Sequence, residues 1–136
     1  AQEVTVRVTC AEGVRPIRVL GREADITGQS VTTYLNQVYG DQEKYILLAV
    51  EIPAGREGTI RNIADVNVAY VNMATKSPDR ITRVAAARFT GSASLVETNT
   101  NAAVMASAIE QIAVERNKVA VALRDQGKIE EARRAL

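Results

Sequence analysis

Sixteen carboxylates and one thiol, Cys10, are the side chains through which this sequence could do acid–base, nucleophilic or metal chemistry, because histidine is absent. Imidazole is the usual general base near neutral pH and the commonest metal ligand. Its absence excludes Ser-His-Asp, Cys-His and His-based zinc chemistry. Among the acids, Asp41/Glu43, Glu51, Asp65 and Glu130/Glu131 are the candidates for hydrolysis. A glycosidase pair needs two carboxylates held across a cleft, and no spacing here places two of these together. The Asp-x-Asp-x-Asp-Gly calcium loop is missing, as are Gly-x-x-x-x-Gly-Lys and Gly-x-Gly-x-x-Gly phosphate loops. Cys10 continues the alternating run Val4, Val6, Val8 and is expected to face the core as a small hydrophobe. With no second cysteine it forms no intramolecular disulfide. The chain is therefore read as non-enzymatic, with no catalytic residue, no metal ligand and no cofactor.

Charge excludes further classes. Lys and Arg number 17 and are interleaved with 16 Asp and Glu, for a net charge of +1, so no footprint for nucleic acid is expected. The local cluster Arg15, Arg18 and Arg22 reads as a solvated strand face. No apolar run approaches the ~20 residues of a membrane span; the longest, Tyr45 to Val50, meets Glu51. No targeting segment is visible. The start Ala1-Gln2-Glu3 suggests a fragment of a longer protein, and localisation is left open with the cytoplasm as the working expectation. Tyr34, Tyr39, Tyr45 and Tyr70 could form a stacking platform, so the alternative function is a small-ligand or carbohydrate-binding sandwich.

The elements that must position these side chains are mostly strands. Only four Tyr and one Phe are aromatic, so the core must be aliphatic. Period-two alternation runs through Gln2 to Cys10, Arg15 to Leu20 (Ile17 and Val19 in phase), Asp25 to Thr27, Ser30 to Leu35, Gln42 to Ile52, Ile60 to Met73 and Ile81 to Phe89. Turn residues separate them: Glu12-Gly13, Thr27-Gly28-Gln29 as a tight hairpin, Pro53-Ala54-Gly55, and Thr75 to Asp79 as a polar loop containing Pro78. In the apolar run, Ile46, Leu48, Val50 and Ile52 share one face and Tyr45, Leu47 and Ala49 the other. Two covered faces imply a central strand, or one face under the helical tail. The expectation is a mainly β fold, an antiparallel β-sandwich of about seven strands over residues 1–91, with a helical tail over 92–136.

In the tail the period changes to that of a helix. Met105, Ile109, Ile112, Arg116, Val119 and Leu123 step by four and three residues alternately, predicting a long helix over 101–126. Thr98, Thr100 and Asn101 are candidate caps, and Gly127 suits the left-handed position that ends a helix. A short helix over 128–136, with Ile129, Ala132 and Leu136 on one face, completes an αα-hairpin. A helix of ~25 residues spans nearly 40 Å, so the sandwich should cover only part of its stripe. Met105, Ile109, Ile112, Val119 and Leu123 are accordingly the predicted partner-binding residues, with Arg116 reaching solvent or a carboxylate such as Glu110 or Glu115. A spacing near 3.5 also fits a weak homodimer through this seam.

The segment order resembles a known family. The strand ending Val19-Leu20-Gly21, the run Gln42 to Gly55 (QEKYILLAVEIPAG), the strand Ala64 to Tyr70 (ADVNVAY) and the tail Ala122 to Arg133 (ALRDQGKIEEAR) are similar to the region that follows the von Willebrand factor type A domain in bacterial proteins labelled chloride-channel-like. The resemblance spans nearly the whole chain, and its motifs are structural rather than chemical. It implies an accessory or scaffold module that supports an adjacent type A domain through protein–protein interaction. In that family the metal site, Asp-x-Ser-x-Ser, belongs to the preceding domain. That motif is absent here, so no metal ligand carries over.

Overall fold

The alternation Val4, Val6, Val8, Cys10 forms β1 (Gln2–Cys10), the middle strand of the larger of two sheets in the computed structural model of this chain, which describes residues 1–136. After it come β2 (Arg15–Leu20), β3 (Asp25–Thr27), β4 (Ser30–Gln37), β5 (Leu47–Glu51), β6 (Ile60–Asn72) and β7 (Ser77–Arg88). The helices α1 (Ala93–Asn99), α2 (Ala102–Asp125) and α3 (Ile129–Ala135) complete the chain. The large sheet runs β3-β4-β1-β6-β7, and β2 pairs with β5 in a separate ribbon. Every pairing is antiparallel. The fold is thus mainly β, with seven strands followed by helices.

Register explains where the core lies. Val4 faces Leu35 and Val6 faces Thr33 on β4, while Val6 faces Val68 and Cys10 faces Ala64 on β6. Even-numbered residues of β1 therefore line one face with the matching residues of its neighbours. Val4, Val6 and Leu35 form one buried cluster, ringed by Val8, Val38, Ile46, Val66, Val68 and Tyr70. Cys10, Val14 and Ile63 form a second, against Leu48, Val50 and Ala87. Burial pushes the Cys10 thiol pKa up, which keeps it protonated and unreactive. Thr33 is the buried polar residue in this layer, and its hydroxyl donates to the Glu23 carbonyl at 2.9 Å. That bond removes the penalty of burying a hydroxyl.

Several expectations are corrected. Ile17 does not share a face with Val19: the register shifts between Pro16 and Arg18, so Pro16 and Val19 point inward while Ile17 is exposed. A bulge of this kind inserts one unpaired residue and resets the alternation. Only Leu47–Glu51 of the run 42–52 is strand. It lies in a two-stranded ribbon rather than mid-sheet, and Leu48 and Val50 face the core. Pro78 belongs to β7 rather than to a loop; β7 is an edge strand, where a residue without an N–H is tolerated. The hairpin turn is instead Met73–Lys76, with Lys76 in the left-handed region and Asn72 Oδ1 accepting the Ala74 N–H at 3.0 Å. Helix α1 falls where no helix was expected. It is capped by Ser92, whose Oγ accepts the Leu95 N–H, and none of its residues is buried.

Candidate functional site

Helix α2 extends 24 residues, about 36 Å at 1.5 Å per residue. Its ends follow from local chemistry. The Asn101 side chain accepts the Val104 N–H at 3.1 Å, satisfying one orphan donor of the first turn. At the other end Gly127 takes φ +79, its N–H reaching the Arg124 carbonyl at 2.9 Å, while the Lys128 N–H reaches Leu123 at 2.9 Å. This is the paired closure a left-handed glycine permits. It turns the chain so that α3 folds back on α2, with Ala120 and Ala132 buried at the approach. Small side chains there let the two helices come close.

The middle of α2 is attached to the sandwich by polar contacts. Register places Arg15, Arg18 and Leu20 on the face of the ribbon turned away from the large sheet. From that face Arg18 Nη1 donates to Glu115 Oε2 at 2.5 Å, and the Gly21 N–H donates to Glu115 Oε1 at 2.9 Å. Gln111, one turn earlier, donates to the Tyr45 hydroxyl at 3.1 Å. Both partners hold the Glu115 carboxyl below the usual glutamate range, the Arg18 hydrogen bond first and the Gly21 N–H second. Gly21 is favoured by its φ of +70, and a Cβ there would also push aside the flexible end of the Gln111 side chain.

This attachment decides which face of α2 is left open. Ala108, Gln111, Ile112 and Glu115 are turned toward the sandwich and partly covered. The predicted stripe lies beside that row and shares only Ile112 with it. Met105 (49% exposed), Ile109 (64%) and Val119 (52%) stay open to solvent, while Ile112 and Leu123 are half-buried. Arg116 is exposed and makes no ion pair; of its two candidate carboxylates, Glu115 is taken by Arg18. The five predicted residues are thus three open and two partly covered. Arg18 was read as solvated and instead anchors the tail. Glu115, Gln111, Gly21 and Tyr45 were not expected to act together, although Gln111 and Glu115 do sit four residues apart, the spacing of one helix face.

The other candidates do not converge. Tyr34 points to the outer face of the large sheet opposite Thr5, whereas Tyr70 packs on the inner face and Tyr45 meets Gln111. These three rings share no common face. Glu51 pairs with Arg15 at 2.5 Å and Glu130 with Arg133 at 3.2 Å. No group of three or more Cys, Asp or Glu side chains is placed to hold a cation. No helix is long and apolar enough to cross a membrane. Comparison with profiles of known families, with characterised proteins and with solved structures found no match.

Proposed function

We propose that this chain is a non-catalytic accessory module that binds protein through the open stripe of α2, with an adjacent von Willebrand factor type A domain as its partner. The observation that carries this reading is the orientation of α2. Glu115 and Gln111 are spent on fixing the helix, and that fixation leaves Met105, Ile109 and Val119 facing water. A row of large apolar side chains on one rigid helix is a surface that normally meets another. The choice of a type A domain rests on the resemblance of the strand and tail segments described above.

Titration calorimetry of this chain against the type A domain of its own polypeptide tests the reading. Saturable binding is expected for the natural chain. Ile109→Asp should remove it without unfolding the sandwich, because Ile109 lies outside both core clusters. Equal binding by the variant would exclude the stripe as the docking surface.

A further inference from the structure

β7 is the outer strand of the large sheet, and every residue from Ser77 to Ala86 is exposed. Both ends of this edge are limited. Beyond Ala85, the residues Ala86, Ala87 and Arg88 line a groove with Leu95 and Val96 of α1. At the start, Pro78 has no N–H to offer a neighbouring strand. Between them runs an edge with no neighbouring strand, where the Arg80 N–H and the Thr82 carbonyl are covered only by the side chains of Asp79 and Arg83; an edge of this kind is a template for another strand once those side chains turn to a partner.

The charges on that edge select its partner. Register puts Asp79, Ile81 and Arg83 on one face, opposite Tyr70, Val68 and Val66 of β6. Neither Asp79 nor Arg83 joins an ion pair within the chain. Asp79 accepts from the Tyr70 hydroxyl at 3.2 Å and from the Arg80 N–H at 2.8 Å, and Arg83 donates to the Thr82 carbonyl at 2.8 Å. Four residues apart on a strand, about 13 Å, they cannot reach each other. An antiparallel second copy with the two-fold axis at Ile81 brings each Asp79 opposite the other copy's Arg83, and Ile81 against Ile81. Arg80 then faces Thr82, and Val84 faces Pro78. The neighbouring registers do worse. An axis at Arg80 or at Arg83 sets an arginine against itself, an axis at Val84 sets Arg80 against Arg88, and an axis at Thr82 pairs no charges. Only one register matches opposite charges across the strands, the arrangement that favours pairing.

We propose that two copies of this chain pair through β7 in that register, joining their large sheets edge to edge. The interface is separate from the α2 stripe and does not depend on the function proposed for it. Sedimentation velocity across micromolar to millimolar concentrations should show a monomer–dimer equilibrium. Asp79→Arg and Arg83→Asp should each weaken it roughly tenfold or more, since each variant replaces two attractive cross-strand pairs by repulsive ones. The double variant Asp79→Arg/Arg83→Asp should restore it. Ile81→Cys should oxidise to a covalent dimer and Val84→Cys should not. A wild-type chain that stays monomeric throughout, single reversals that leave the equilibrium unchanged, or a dimer abolished by Ile109→Asp on α2 would each overturn the proposal.

Discussion

Arg18 and Glu115 are 97 residues apart in the chain and 2.5 Å apart in space. Through this pair the helical tail is oriented on the sandwich, and through it the stripe of α2 is turned outward. Both side chains are partly wet, 50% and 28% exposed, so the pair is worth more as a positioning device than as a source of global stability. Replacing Glu115 with Ala should therefore leave the thermal transition of the strand core nearly unchanged. It should increase amide hydrogen exchange in the middle of α2, because the Arg18 and Gly21 contacts are lost together. Glu115→Gln, which keeps an acceptor for the Gly21 N–H, should fall between. An Ala variant whose tail exchanges at the natural rate would mean that the helix is held by packing alone.

The same pair sets a pH dependence. The Glu115 carboxyl is held below the ordinary glutamate range by Arg18 and by the Gly21 N–H, so its charged form is favoured in the folded state. A group depressed on folding contributes stability above its unfolded value and loses it as pH falls through its folded value. Attachment of the tail should hence be complete at neutral pH and weaken on acidification below the ordinary glutamate range. Tail protection, that is the intrinsic rate divided by the observed exchange rate at each pH, should show this fall in the natural chain and a flat profile in Glu115→Gln over the same interval.

Core and stripe should separate cleanly by stability. Leu35 is 7% exposed and packs with Val4 and Val6. Leu35→Ala should cost about 2–5 kcal/mol, lost transfer energy plus the cavity left behind. Ile109→Asp should change stability by no more than about 0.5 kcal/mol, as surface substitutions do. Urea titrations followed by circular dichroism read both values.

Gly21 offers a sharper test of the junction. Gly21→Ala meets one firm obstacle, the left-handed φ of +70, and displaces the flexible end of Gln111 from the Tyr45 hydroxyl. The backbone obstacle alone costs roughly 1–2 kcal/mol. Adding Gln111→Ala leaves that backbone cost in place, so the double variant should melt no higher than Gly21→Ala.

How much of this was readable beforehand depends on the range of the forces involved. The alternation of Val4 through Cys10 gave β1 and its inward face, since side-chain direction in a strand is purely local. The helical period gave α2 to within a residue of its caps, Asn101 and Gln126. The bulge at Ile17 was hidden, because a register shift depends on the partner strand. Helix α1 was hidden because none of its residues is buried, so it carries no apolar period to detect. The stripe itself was legible as a pattern. Its orientation was not, for that is fixed by Glu115 and Gln111 reaching β2, Gly21 and Tyr45, contacts that cross from one end of the chain to the other.

The most direct test of the central claim is the chemical accessibility of the stripe. With Ile109→Cys as the probe and the natural Cys10 buried and unreactive, the rate of thiol modification can be read at a single surface position. In this chain alone the new thiol should react at the rate of an exposed cysteine. With the type A domain proposed as its partner present at saturation it should be protected at least tenfold, a factor equivalent to ~1.4 kcal/mol of docking free energy. Equal rates in the two contexts would contradict the account, because a stripe that remains open beside its proposed partner is not a docking surface.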